Sequence, residues 1–311
     1  ATDMRRASVV FLLVGGALLP GSLAVAETEP NDSKAQANLV ALPASTTAAV
    51  FTGNSQAPSA FDYFRVTTAT QAAPGFYRHR LTLQSANLVG LSATLRGLTQ
   101  STGVINAGTD PTLQSSGSAV GDKFVQWYTA QASADLYVRV TGISTTTDDY
   151  ALDYEVLPVT EIVGPTINGG SRTITTVGQT VIDTDLWVYD AARLAIPNSG
   201  NDDESVAGGG TGTTSQSLLT RTYGTSTFFL VLSRSNLANS LASFTDDDQR
   251  NGVVLDFPGA VATSDDATTA PDLDVVIDGT LLQPVTVPPR QVLFIRFSVA
   301  TPVELLDFGI E

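Results

Sequence analysis

Glu27, Glu29, Asn31 and Asp32 crowd into the stretch ETEPND at residues 27–32. Carboxylate and amide oxygens are the donors that hard divalent cations prefer, so this spacing could serve ion binding. The same residues would sit in solvent if the segment were only an acidic turn leading into a first strand. A second concentration of oxygens lies in VIDTDLWVYDAARLAIPNSGNDDES, where Asp183, Asp185, Asp190, Asp202, Asp203 and Glu204 would meet at one ion if the acidic loop folded back on the strand end. Solvated charge on a Gly-rich loop is the competing reading.

Other chemistries are poorly supplied. His79 is the single histidine, which removes histidine-rich zinc sites and histidine dyads. It shares one face of its segment with Tyr77 and Leu81, the setting of a structural imidazole more than of a general base. A Ser-His-Asp triad would need it, and no G-x-S-x-G turn is present. The chain has no cysteine, hence no thiolate nucleophile, disulfide or thiolate metal site. Gly208-Gly209-Gly210 lacks the Gly-Lys-Ser/Thr sequel of a phosphate loop. A carboxylate pair for glycoside hydrolysis stays open, but among 31 acidic residues none stands out as such a pair. Asp246 to Asp248, Asp265-Asp266 and the series Asp272, Asp274, Asp278 lack the spacing of an EF-hand loop and read as solvated surface.

The elements that must position these groups begin after a leader. Arg5-Arg6, the apolar stretch Ala7 to Leu19, Pro20-Gly21 and the small-residue ending Ala24-Val25-Ala26 follow the order of a secretory signal peptide, with cleavage expected after Ala26. The apolar core is shorter than the roughly 20 residues a spanning helix needs, so no membrane span is expected once it is removed. With 16 basic residues against 31 acidic ones and a formal charge of -15, a nucleic-acid partner is not expected, whereas divalent cations suit the charge.

Period-two alternation dominates the remainder. Tyr77, His79, Leu81 and Leu83 share a face, as do Leu136, Val138 and Val140, and Tyr150, Leu152, Tyr154 and Val156. Phe61 to Thr67, Val89 to Arg96 and Lys123 to Thr129 are further strands, and Thr99 to Asp122 reads as a long surface loop. After Leu157-Pro158 a Gly- and Pro-bearing junction precedes a second set: Thr180 to Tyr189, Thr227 to Ser233, Leu273 to Asp278 and Gln291 to Val299. A short helix is expected at Asn236 to Phe244. In KFVQWYT, Trp127 and Tyr128 point to opposite faces, so one of them is expected at a binding surface. The expectation is an all-β chain of two tandem antiparallel, jelly-roll-like β-sandwiches. The leader takes residues 1–26, the sandwiches 27–158 and 159–300, and a tail 301–311.

The order Glu27-x-Glu29-Pro30-Asn31-Asp32-Ser33, then Asp62-Tyr63-Phe64, and a closing Asp149-Tyr150-Ala151-Leu152, resembles the bacterial pre-peptidase C-terminal domain over residues 27 to 157. The resemblance implies a small secreted β-sandwich that accompanies exoenzymes. In its calcium-binding members the acidic segment folds back on the sandwich. Carried onto this sequence, it implies calcium ligands Glu27, Glu29, Asn31, Asp32 and Asp62. The family's further Asp would fall near Ser59, where this chain has no carboxylate. The second half resembles a diverged copy without its own EPND element.

Together these features lead to the expectation of a secreted, non-catalytic binding, adhesion or structural module, stabilised by calcium, at or outside a bacterial cell surface. Its partner would be an extracellular protein or polysaccharide, and its oligomeric state is open. The alternative is a carbohydrate-binding or carbohydrate-degrading jelly roll that uses a carboxylate pair.

Overall fold

Alternating side chains bury one face of a strand and wet the other, and each alternating segment of the first half becomes a strand in the computed structural model. The structure describes residues 24–55, 61–98, 112–116, 123–142, 148–234, 237–241, 257–264, 272–287 and 290–301. The described residues contain no α-helix, and no helix among them is long and apolar enough to cross a membrane. Two sandwiches account for the strands.

In the first, a seven-stranded sheet runs in the order Val25–Ala26, Thr47–Ser55, Asp148–Pro158, Tyr77–Ser85, Lys123–Thr129, Ala260–Thr263, Leu237–Ala238. It faces a five-stranded sheet ordered Asn38–Leu42, Phe61–Thr68, Asp135–Gly142, Leu91–Arg96, Thr112–Ser115. Phe51, Phe64, Leu81, Trp127, Val138 and Leu152 fill the space between them. In the second sandwich, the sheet Ile162–Asn168, Val292–Ala300, Ser226–Arg234, Thr184–Tyr189, Ala195–Asp202 packs on the sheet Leu218–Tyr223, Gly170–Thr175, Asp272–Ile277, Thr280–Thr286. Its core includes Ile174, Leu186, Leu230, Val275 and Phe297.

The pairing is not wholly antiparallel. Val25–Ala26 runs parallel to Thr47–Ser55, Asn38–Leu42 to Phe61–Thr68, and Ile162–Asn168 to Val292–Ala300. Each parallel strand lies at a sheet edge, where a segment entering a sandwich can be added without a hairpin. The segment from Val89 opens with a short 3-10 turn, Leu88–Gly90, before the strand Leu91–Arg96. The stretch expected as a long loop contains the strand Thr112–Ser115. The expected helix at 236–244 does not form where the chain is described, because Leu237–Ala238 pairs with Ala260–Thr263 and takes its backbone bonds from that ladder. Asp246 to Asp248, Asp265-Asp266, the signal segment before Ala24 and the tail after Thr301 lie outside the described residues.

The strand Ala260–Thr263, which lies between strands of the second sandwich in sequence, pairs with Lys123–Thr129 and so extends the first sandwich's sheet. A third apolar layer therefore forms between the sandwiches from Phe76, Tyr128, Trp187, Tyr189, Phe229, Val231, Val261 and Phe294. Trp127 and Tyr128 do point to opposite faces, but neither reaches a binding surface, contrary to expectation: they are 0% and 2% exposed. Trp127 enters the first core, and Tyr128 enters the layer that the second sandwich covers. Polar side chains stitch the same seam. Gln126 Nε2 donates to Arg290 O at 2.9 Å, and the buried Arg290 guanidinium donates to the carbonyls of Phe124 and Ser115.

A seam this apolar couples the two halves. Thermal unfolding of the whole chain followed by circular dichroism and calorimetry is expected to show one cooperative transition, and Arg290→Ala, which strands two buried carbonyls, is expected to lower stability by about 2–3 kcal/mol. Two separate transitions, with only the second moved by Arg290→Ala, would contradict the coupling.

Candidate metal centre

Backbone bonds made by Glu27 and Asn31 hold the acidic segment on the sandwich, independently of the edge strand Val25–Ala26 that the expected cleavage would remove. Glu27 N donates to Thr52 O at 2.9 Å, and Tyr63 N donates to Asn31 O at 2.9 Å, so residues 27–31 bridge the two sheets of the first sandwich. Asp62 faces inward from Phe61–Thr68 and is 2% exposed. Glu27, Glu29 and Asp62 consequently each place a carboxylate oxygen within 4.8 Å of the others.

Two further groups close the cluster. The Tyr150 hydroxyl hydrogen-bonds Asp62 Oδ2 at 2.7 Å and Glu27 Oε2 at 3.0 Å, and Asn54 N donates to the other Glu27 oxygen. Asn31 is fully buried, with its side-chain amide against the Glu27 carboxylate, yet neither amide atom makes a hydrogen bond of good geometry. Its backbone N–H meets Glu29 Oε2 at 3.1 Å. A buried amide without a partner costs about 1–3 kcal/mol, and an ion accepting Asn31 Oδ1 would remove part of that cost. Gly53 makes the approach possible, since a Cβ there would fall 2.3 Å from the Tyr150 hydroxyl and 2.4 Å from Glu27 Oε2.

Electrostatics follow from the crowding. Burial, followed by repulsion from Glu27 and Glu29, pushes the Asp62 carboxyl up to about 7 against the opposing Tyr150 hydrogen bond. Burial also raises Glu27, with Asn54 and Tyr150 opposing and Glu29 adding. Burial and the neighbouring carboxylates hold the Tyr150 hydroxyl in its protonated form. Three carboxylates and one amide are the oxygen donors a Ca²⁺ ion accepts, with backbone carbonyls or water filling the remaining positions of its roughly six to eight.

Four of the five expected ligands are thus brought together, namely Glu27, Glu29, Asn31 and Asp62. Asp32 is exposed and stands outside the group. Tyr150 and Gly53 were not singled out. The alternation placed Tyr150 inward but could not show that its hydroxyl crosses to Asp62, and a glycine mid-strand was the only other signal.

In the second sandwich, Asp183, Asp202 and Asp203 gather within 4.8 Å. Asp185 does not join them, because its Oδ2 accepts Leu237 N at 2.6 Å. Asp190 is spent on a turn, accepting Ala192 N and Leu194 N at 2.9 Å each. Glu204 accepts the hydroxyls of Thr211, Thr213 and Thr214. His79 is fully buried, with Nδ1 2.6 Å from Tyr154 Oη and Nε2 2.9 Å from Thr129 Oγ1, and burial lowers its pKa to about 3. It is a neutral core residue.

No protein-family model matches this chain, and no curated protein matches it closely enough to show a relative.

In chelator, Asp62 binds its proton more tightly folded than unfolded, so its contribution to stability falls as pH rises from about 4 to 7. His79, buried and neutral, contributes with the opposite sign, adding stability as pH rises from about 3 to 6.5. Comparing wild type with Asp62→Asn cancels the His79 share, and the difference in unfolding midpoint is expected to move against wild type as pH rises across the Asp62 window. A difference that stays flat, or that moves in favour of wild type, would contradict the cluster's electrostatics.

Proposed function

We propose that this chain is a secreted, non-catalytic binding or adhesion module whose first sandwich is a calcium-stabilised, pre-peptidase C-terminal-like domain. The observation that carries the reading is the convergence of Glu27 and Glu29 with Asp62, far along the sequence, around the buried, unpartnered amide of Asn31. An N-terminal acidic segment folded back onto a β-sandwich is the arrangement that the resemblance implies. Calcium would be held by Glu27, Glu29, Asp62 and Asn31. It would supply the positive charge that lets all three carboxylates ionise and ties the entering segment to both sheets.

Two features support a non-catalytic role. The one histidine is sealed in the core with both nitrogens engaged. The acids of the first cluster surround a tyrosine hydroxyl and a backbone amide that stabilise them, and the cluster sits at the joint between the entering segment and the sandwich. The export leader and acidic surface charge agree with action outside a bacterial cell, on a protein or polysaccharide partner.

Thermal unfolding in millimolar calcium and in chelator tests the reading. An ion at 100 times its Kd stabilises by about 2.7 kcal/mol, several degrees for domains of this size. Calcium is expected to raise the wild-type midpoint and to leave a Glu29→Ala/Asp62→Asn variant unmoved. Equal midpoints for wild type with and without calcium would overturn the proposal.

A further inference from the structure

A strand bulge shapes a polar groove on the outward side of the first sandwich's seven-stranded sheet. Thr82 and Gln84 point outward from Tyr77–Ser85, because Leu81 and Leu83 take the core side, and Asp153 and Glu155 point outward from Asp148–Pro158, because Leu152, Tyr154 and Val156 do the same. The register sets Asp153 opposite Thr82 and Glu155 opposite Arg80. Such cross-strand neighbours stand about 5 Å apart. Between the pairs Leu152–Phe51 and Tyr154–Thr47, three residues of the strand Thr47–Ser55 face Asp153 alone. Ala49, the middle one, has a φ of 50°, in the left-handed region that favours glycine, and its N–H donates to Asp153 Oδ1 at 2.7 Å. The extra residues bend the strand there. Thr46, Thr47 and Ala48 line one side of a groove of about 370 Å³, and Thr82, Gln84, Asp153 and Glu155 line it from the two central strands. Arg80 bounds the other side, lying 4.1 Å from the Phe124 ring centre with Nε and Nη2 donating to Gln126 Oε1 at 3.0 and 2.8 Å.

The polar groups of this groove are presented and largely unspent. Gln84 is exposed, and Thr82, Asp153 and Glu155 are half-buried. Among the described residues, the side chains of Thr82 and Gln84 make no hydrogen bond. Asp153 spends Oδ1 on Ala49 and keeps Oδ2, while Glu155, its side chain 37% exposed, spends Oε2 on Arg78 and keeps Oε1. None of these remaining atoms belongs to the buried groups that lack partners, so each meets solvent.

Their chemistry selects a ligand class. Arg78 and Arg80 balance the two acids, so an ionic ligand gains little here. The open groups are acceptors on Asp153 and Glu155 and two-way groups on Thr82 and Gln84, which suits a molecule with neighbouring hydroxyls that both donate and accept. Both central strands are interior to the sheet, so their backbone groups are paired and offer a polypeptide no edge to extend. The volume falls within the roughly 300–1,000 Å³ of small-ligand clefts. Tyr154, which lies beneath the groove, is 1% exposed, so affinity rests on hydrogen bonds rather than on ring stacking.

We propose that this groove binds a neutral polysaccharide segment, its hydroxyls received by Asp153 Oδ2, Glu155 Oε1, Thr82 and Gln84. The proposal rests on the binding-module reading above and names the ligand class and its place on the fold.

The test is calorimetric titration of the full chain, in calcium, with cellohexaose, xylohexaose, mannohexaose and maltohexaose. Spermidine and a hyaluronate oligosaccharide serve as cationic and anionic comparisons. Binding to at least one neutral hexasaccharide is expected, with the same affinity at low and high salt because no ion pair is made. Each lost hydrogen bond is expected to weaken it about three- to tenfold, in Thr82→Val and in Gln84→Ala alike. Thr222→Val, at an exposed hydroxyl of the second sandwich, is expected to leave it unchanged. If Thr82→Val fails to fold, Gln84→Ala, on an exposed side chain, still decides the point. Absence of binding to all the neutral glycans, or binding indifferent to both groove substitutions, would overturn the proposal. Salt-sensitive binding of spermidine or hyaluronate that exceeds that of the glycans and falls in the same variants would overturn it in favour of an ionic ligand. Melting curves with and without calcium on the same samples keep this test apart from the reading it rests on. Glycan binding that ignores the groove substitutions sinks the groove and leaves a binding module, and a calcium response without glycan binding sinks the groove and leaves the ion site.

Discussion

Three carboxylates within 4.8 Å of one another cannot all stay ionised unless a proton, a donor or a cation compensates them. The first sandwich is arranged around that constraint. Tyr150 and the Asn54 amide supply donors, and in the metal-free state Asp62 supplies the proton by titrating near neutrality. A hard cation would compensate all three acids together and would satisfy the Asn31 amide as well. Gly53 is bare because any side chain there would occupy the space in which Tyr150 and Glu27 meet. The entering segment is held by this charge balance as much as by its strand pairing.

A second constraint acts through burial. The outward side of Lys123–Thr129 carries Tyr128, a side chain too large and apolar to leave wet, and the facing sheet of the second sandwich carries Trp187, Tyr189, Phe229 and Phe294. Their burial against one another produces a stack of four sheets with three apolar layers, and Ala260–Thr263 joins the first sandwich's ladder while Arg290 and Gln126 cross the seam.

The sequence carried the strand pattern well because period-two alternation directly reflects which face is buried. Lys123–Thr129, Tyr77–Ser85 and Asp148–Pro158 were all legible on that ground. It misled where alternation met a second layer. One of Trp127 and Tyr128 reads as a surface residue, because nothing local shows that another sandwich covers the face on which Tyr128 lies. The i, i+4, i+7 spacing of Leu237, Leu241 and Phe244 suggests a helix, whereas long-range pairing with Ala260–Thr263 makes Leu237–Ala238 a strand. The four residues that meet in the first cluster could be named from ETEPND and Asp62, because a resemblance ties them together across the chain. Asp32 stands apart from the cluster because the chain bends there, ahead of the 3-10 turn Lys34–Gln36, and leaves its side chain exposed. Tyr150 and Gly53 escaped because their roles depend on a meeting of strands about a hundred residues apart in sequence, which no local pattern encodes.

The central claim is that Glu27, Glu29, Asn31 and Asp62 hold one hard cation beside Tyr150. Terbium is a luminescent substitute for calcium that emits when a nearby tyrosine is excited, and the Tyr150 hydroxyl is bonded to two of the three carboxylates. Titrating terbium into the protein while exciting tyrosine is predicted to give emission that calcium displaces and that Asp62→Asn abolishes. An Asp202→Asn/Asp203→Asn variant is predicted to leave it intact. Absence of sensitised emission, or emission lost only with the second-sandwich substitutions, would contradict the account.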